Sequence, residues 1–298
     1  HHEEFNKNNI IDTINSNSVI ISTSEEQKKK IKDYISTLST SHSLSSTSTP
    51  QYLALQWLLE KRQQSNDFFD ENELLLLKQE YVMAVLYYNF HGDDEKKNDG
   101  WIHTDNWLSS NMDVCEWYSS SSNGNICNSD NGLLEVLDLS NNNLMGTIPT
   151  EIGHLSKSLQ RLELDSNSIY GMLPTELGYL TELRRLSLYE NPHITGTIPT
   201  ELGFVNNKGR SILNTILLDG TNLRGTVPEQ LCNNKEPQED DDQQLSSSST
   251  TTTAMTLWIN CHDGNINKNG ISSCGDCHQQ QCRCCTYTNP CAHVHHHR

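Results

Sequence analysis

Between Leu133 and Cys232 one cassette is written four times. Leu134-Glu-Val-Leu137-Asp-Leu139 precedes Asn142, Leu144, Gly146 and Thr147-Ile148-Pro149. Leu159-Gln-Arg-Leu162-Glu-Leu164 precedes Asn167, Ile169, Gly171 and Met172-Leu173-Pro174. Leu183-Arg-Arg-Leu186-Ser-Leu188 precedes Asn191, Ile194, Gly196 and Thr197-Ile198-Pro199. Leu213-Asn-Thr-Ile216-Leu-Leu218 precedes Thr221, Leu223, Gly225 and Thr226-Val227-Pro228. The first leucines are 25, 24 and 30 residues apart. A repeat of this period fixes an architecture, because each unit is too small to bury its own apolar face and must stack on its neighbours.

The alternation of apolar and polar residues in each Leu-x-x-Leu-x-Leu run is that of a short strand. Stacking the runs predicts one parallel sheet with a continuous leucine core, each strand centred on Leu137, Leu162, Leu186 or Ile216. The Asn after each strand turns the chain and offers an amide to backbone groups of adjacent turns. Gly allows the bend that follows, and Pro fixes φ and ends pairing. The return runs through Thr150-Glu151-Ile152-Gly153 and its counterparts at 175–178 and 200–203.

The Leu-x-Gly-x-(Ile/Leu/Val)-Pro segments, with the Glu-(Leu/Ile)-Gly that follows, resemble the plant-specific class of leucine-rich repeats. The resemblance covers about a third of the chain strictly and about half with its caps. Three departures stand out: one extra residue in the third repeat, where Asn191-Pro192-His193 precedes Ile194, Thr221 in place of the turn Asn, and the swollen connection Asn206–Arg210. The fold expected is an α/β repeat solenoid, a short horseshoe with a parallel concave sheet. A helical cap would precede it and a Cys-rich cap would follow.

Composition divides the rest. Of 298 residues only 34% are hydrophobic, and the net charge is −17. Residues 1–49 are rich in Asn, Ser and Thr, and residues 233–254 join an acidic run to a Ser/Thr run; both read as disordered. Residues 50–92 read as a two-helix cap. Thr49-Pro50 starts the first helix. Asp70 with Glu73 starts the second, whose stripe is Leu74, Leu77, Tyr81, Val82, Val85 and Leu86. That stripe suits a partner helix, or better, a lid over the leucines of the first repeat. The acidic balance argues against nucleic acid, which lysine and arginine recruit. No run of 18 apolar residues spans a membrane. The chain begins at His1, so a signal peptide or anchor upstream stays open.

All ten cysteines flank the repeat strands. Residues 93–132 hold Trp107, Cys115-Glu-Trp117-Tyr118 and Cys127, which resemble the amino-terminal cap of plant-type repeat ectodomains; that resemblance pairs Cys115 with Cys127. Cys232, Cys261, Cys274, Cys277, Cys282, Cys284, Cys285 and Cys291 lie at or after the last repeat, and those from Cys261 onward fall in a tail over 255–298. An even count favours disulfides and an oxidising compartment, hence an extracellular or cell-surface protein. Connectivity in the tail stays open. Cys274-Gly-Asp-Cys277-His278 also satisfies the c-type haem pattern, and Cys/His spacing with His278 and His293 could ligate zinc, but neither fits the crowded tail cleanly. Neither a metal nor a cofactor is expected. The absence of any Asn-x-Ser/Thr sequon, where chance gives about five, runs against the secreted reading.

Motifs for phosphate loops, nucleophile elbows, dinucleotides and zincins are absent. Glu163 and Asp165 could mimic a carboxylate pair, but exposed strand positions are polar in any case, so no enzyme is expected. The same outward positions are the candidate binding face: Asp138, Arg161, Glu163, Asp165, Arg185, Ser187, Tyr189 and Asp219, flanked by Val136, Ser140, Asn141, Ser166, Glu190, Thr215 and Leu217. The resemblance implies a protein, peptide or glycan ligand. The alternatives are a wall- or matrix-associated structural protein, or a secreted inhibitor of a wall-degrading hydrolase.

Overall fold

The computed structural model describes residues 25–62, 70–90, 100–104, 106–117, 125–203, 212–225, 227–228, 231 and 256–258. The four Leu-x-x-Leu-x-Leu runs form the centre of a six-stranded sheet. Its strands are β1 (Ile126–Cys127), β2 (Leu134–Asp138), β4 (Arg161–Glu163), β6 (Arg185–Ser187), β8 (Thr215–Leu217) and β9 (Thr256–Trp258), in that order. From β2 to β9 every pairing is parallel, and Leu137, Leu162, Leu186 and Ile216 stand in one register row. All four are fully buried. The α/β repeat solenoid expected from the cassette is therefore the fold.

Two features of the sheet go beyond the four cassettes. β1 pairs antiparallel with β2 and covers the edge that the first repeat would expose. β9 adds a parallel strand after repeat four. A second, three-stranded sheet joins β3 (Met145–Gly146), β5 (Ser168–Met172) and β7 (His193–Thr195). It is built from the Leu-x-Gly segments, read above only as part of the return. The period-two alternation there is its signature: Ile169 is buried while Tyr170 and Met172 face out. The Thr-Glu-(Leu/Ile)-Gly segments are 3₁₀ turns at Thr150–Leu155, Thr175–Tyr179 and Thr200–Gly203.

Those 3₁₀ turns stack so closely that glycine is required within them. A Cβ on Gly153 would stand 2.7 Å from the Glu176 carbonyl oxygen and 3.0 Å from the Glu176 Cβ. Backbone of the next repeat cannot swing aside as a side chain can. Gly153→Ala is expected to cost about 1–3 kcal/mol, the range for overpacking. A urea midpoint unchanged from wild type would contradict the stacking.

The asparagines tie successive turns together. Asn167 Oδ1 accepts from Asn142 N (3.0 Å) and Leu144 N (2.9 Å), while its Nδ2 donates to the carbonyls of Leu139, Leu164 and Asp165. Asn191 repeats the pattern one turn on, donating to Leu164, Leu188 and Tyr189 and accepting from Ile169 N. Asn142 ties back to the cap through both its amide atoms and the backbone of His103. At the fourth turn Thr221 donates to Leu218 O, within its own repeat.

The amino-terminal region corrects one expectation. Residues 25–35 are helical (α1), followed by α2 (Ser41–Ser45), α3 (Pro50–Lys61) and α4 (Glu71–Asn89). The Asn/Ser/Thr content of residues 1–49 predicts disorder, which 25–49 does not show. Its few apolar residues decide otherwise: Ile31 and Ile35 are buried against Ala54, Leu58, Leu77 and Tyr81. Ser39 and Leu38 also anchor to the first repeat. Ser39 Oγ donates to Glu151 Oε1 at 2.7 Å, and His154 Nε2 lies 2.9 Å from Leu38 O. Residues 1–24 lie outside the described residues.

α4 is buried on two sides. Leu77, Tyr81, Ala84 and Val85 face the other helices, while Val82, Met83, Leu86 and Phe90 join the leucine core of the repeats. Gln79 locks the joint: it accepts from Leu134 N (2.6 Å) and donates to Gly132 O (3.1 Å). Glu80 is buried only because Lys61 and Arg62 meet it at 3.0 and 2.9 Å. Trp57, Trp107 and Trp117 pack edge-on or tilted above the first repeat, with Trp101 beside them. Cys115 and Cys127 are joined by a disulfide, which closes this cap. The expected pairings of Cys232, Cys261, Cys274, Cys277, Cys282, Cys284, Cys285 and Cys291 lie outside the described residues, as does the segment 233–254. Among the described residues no helix is long and apolar enough to cross a membrane.

Candidate recognition surface

The outward side chains of the six-stranded sheet stand in rows, because parallel register sets equivalent positions side by side. Val136, Arg161, Arg185 and Thr215 make one row; Asp138, Glu163, Ser187 and Leu217 make the next. A third holds Ser140, Asp165, Tyr189 and Asp219. It is aligned by backbone bonds from Asn141 N to Asp165 O, Ser166 N to Tyr189 O and Glu190 N to Asp219 O. The face is therefore graded in charge: basic in the first row, acidic in the other two.

Side chains in these rows satisfy one another. Arg161 and Arg185 both donate to Glu163 Oε1, Arg161 through Nε at 3.0 Å and also through Nη2, Arg185 through Nε at 3.0 Å. Ser187 Oγ donates to Asp165 Oδ1 at 2.8 Å, and Ser140 Oγ to Asp138 Oδ1 at 2.5 Å. Ser166 Oγ donates to Glu190 Oε2 at 2.8 Å. Burial holds the Asp165 carboxyl above the ordinary carboxylate range. The Ser187 hydroxyl and its own backbone amide oppose this, and the charges of Glu163 and Asp138 add to it.

Eight residues were expected to form an open face, and four of them do not. Asp138, Glu163 and Asp165 are each 8% exposed, and Ser187 is fully covered. The cause is geometric. Strands about 4.8 Å apart bring outward side chains shoulder to shoulder, so short polar groups vanish beneath longer neighbours. What reaches solvent is Arg161, Asp219 and Glu190, with Arg185 and Tyr189 half-buried. Glu163 is 11% exposed in its side chain and is a strut between two guanidinium groups. Among the described residues no group of three His, Cys, Asp or Glu side chains is placed to hold a metal ion. The face offers fixed charges, hydrogen-bonding groups and one aromatic ring, which suits recognition.

Residues 133–155 and 158–180 match the family model described as Leucine Rich Repeat. No curated protein sequence matches the chain. Among solved structures, a plant peptide hormone receptor, RGFR1 in complex with RGF2, is 36% identical over 33% of this chain and 15% of its own, with a TM-score of 0.30. The ectodomain of the Arabidopsis thaliana receptor kinase GASSHO1/SCHENGEN3, in complex with CASPARIAN STRIP INTEGRITY FACTOR 2, is 35% identical over 33% of this chain and 11% of its own, at 0.29. The BIR3–SERK2 complex, also from Arabidopsis thaliana, is 28% identical over 46% and 70%, at 0.35. This chain thus spans only a small part of the first two. Its first two cassettes thus match the Leucine Rich Repeat family model, and the parallel strands keep the same register through the fourth cassette.

Proposed function

We propose that the outer face of the six-stranded sheet docks a protein or peptide partner, outside the cell. The observation that supports this reading is the pair Arg161 and Arg185, held at one carboxylate oxygen of Glu163 while 47% and 34% of their side chains stay exposed. Two guanidinium groups fixed in advance lose little freedom on binding, and among the described residues neither pairs with a carboxylate other than Glu163. Tyr189 lies two rows away, and tyrosine and arginine are the residue types that anchor interfaces. The Cys115–Cys127 bridge supports an oxidising compartment.

The test is a selection of binders from displayed peptide and secreted-protein libraries, followed by affinity measurement on variants. Arg185→Glu places an acid beside Glu163 and is expected to weaken binding at least about tenfold, as loss of a buried or half-buried charged contact does. Tyr189→Ala should weaken it less, and Tyr179→Ala, 57% exposed and away from the sheet, should leave it unchanged. Binders indifferent to Arg185→Glu and Tyr189→Ala would overturn the reading. So would two libraries that yield no binder, which is the behaviour of a structural matrix protein.

A further inference from the structure

The six-stranded sheet does not end with the fourth cassette. β9 pairs parallel with β8, placing Thr256 beside Thr215, Leu257 beside Ile216 and Trp258 beside Leu217. Leu257 thereby takes the register of Leu137, Leu162, Leu186 and Ile216, the row of the leucine core. Thr256 and Trp258 take the register of the first two outward rows, one step beyond repeat four.

The chemistry of those two rows changes along the sheet. Their charges, Asp138, Arg161, Glu163 and Arg185, all lie on β2, β4 and β6. β8 and β9 contribute Thr215, Leu217, Thr256 and Trp258, which carry none. The core does not need Leu217, because Ile216 and Leu218 on either side of it are fully buried there. Leu217 itself is half-buried at an outward position. The chain has five tryptophans. Trp57, Trp101, Trp107 and Trp117 pack together in the amino-terminal cap, and the fifth, Trp258, stands on the sheet beside Leu217. Tryptophan shares with tyrosine and arginine the enrichment at interface hot spots.

We propose that the recognition surface continues across β9, and that the juxtaposed positions Leu217 and Trp258 take a large apolar side chain of the partner while Arg161 and Arg185 take an acidic one. This rests on the recognition surface proposed above and narrows its partner to a peptide or protein segment that crosses the strands and carries both groups. Arg185 and Trp258 are two strands and one row apart. At about 4.8 Å per strand and about 6.6 Å per row they are about 12 Å apart, the reach of about three or four extended residues. The acid and the apolar residue of the partner are separated by that number. Requiring both is what rejects a segment that is merely acidic, since it would leave the uncharged end of the face unfilled.

The probes are peptides selected on the whole chain from a displayed library with one fixed glutamate and random flanks. Leucine, phenylalanine, tyrosine or tryptophan is expected to be enriched at about three or four residues from the glutamate. The selected peptides should bind Trp258→Ala and Leu217→Asn at least about tenfold more weakly than wild type, and Trp258→Phe nearly as well as wild type. Leu217→Asn guards against a Trp258→Ala chain that merely loses β9. A second readout needs no loss of affinity: saturating peptide should reduce acrylamide quenching of tryptophan fluorescence in wild type and not in Trp258→Phe, whose remaining tryptophans lie in the cap. Peptides that are weakened by Arg185→Glu, yet bind Trp258→Ala and Leu217→Asn like wild type, would overturn the apolar end and leave the recognition surface standing. Peptides indifferent to all three changes would overturn both. Quenching unmoved by saturating peptide in wild type would also remove Trp258 from the surface.

Discussion

Leu162→Asp is expected to abolish cooperative folding of the repeat array. Leu162 is fully buried on β4, with Leu137 and Leu186 beside it in register. Removing a buried leucine costs about 2–5 kcal/mol before the charge is counted. A carboxylate with no partner at that depth adds a desolvation penalty of at least the same order. Together these approach the ~5–15 kcal/mol by which whole domains are stable. The position aggravates the loss. β4 is interior to the sheet, so its failure separates the first repeat and its helical cap from two repeats that cannot bury their leucines alone. Hydrogen exchange should show protection lost in β4, β6 and β8 together, with the melting transition gone from circular dichroism. Met172→Asp is the contrast: Met172 is also apolar but 73% exposed on the second sheet, and its change should stay within about 1 kcal/mol. An unchanged melting temperature in Leu162→Asp would sink the register assigned here.

The residues behind that prediction were plain in the sequence, because a period-two alternation written four times leaves one arrangement that buries every leucine. The second sheet was harder to see, since its strands are two to five residues long and a Leu-x-Gly step reads equally as a bend. The helical cap shows a different limit. Ile31 and Ile35 sit among Lys, Ser and Thr, and composition averages them away; only the partners at Leu58 and Tyr81 reveal that two isoleucines suffice to anchor a helix. On the recognition surface the sequence placed each outward residue in its row. It did not show that Asp165 and Ser187 would be consumed by a bond between neighbouring repeats, or Asp138 by Ser140 of its own repeat, because those depend on rotamers.

Asn167→Ala is expected to be almost as damaging as a core cavity, although it removes no apolar group. Asn167 is 7% exposed, and its amide serves two backbone N–H donors and three carbonyls drawn from two successive turns. Alanine takes that partner from all five, but Leu164 O keeps Asn191 and Asp165 O keeps Asn141 N, so the orphans are Asn142 N, Leu144 N and Leu139 O. Each orphaned buried group costs about 1–3 kcal/mol, and because the turn can relax to admit water, a total of about 3–5 kcal/mol is expected rather than the full sum. Chemical denaturation with an intact m-value reads this directly. Asn167→Asp separates the two halves of the amide. It keeps the acceptor for Asn142 N and Leu144 N but turns an oxygen towards the carbonyls of Leu139, Leu164 and Asp165. The charged form is repelled there, and only the protonated form can donate. The folded-state pKa is thus raised above the unfolded value of about 3.9. A group of that kind stabilises below its unfolded pKa and loses the contribution as pH rises through its folded pKa. Measured against wild type at each pH, the deficit of Asn167→Asp should be small near pH 4 and grow towards pH 7. A deficit independent of pH would mean that the side chain does not face those carbonyls, and that the turns are held together by packing alone.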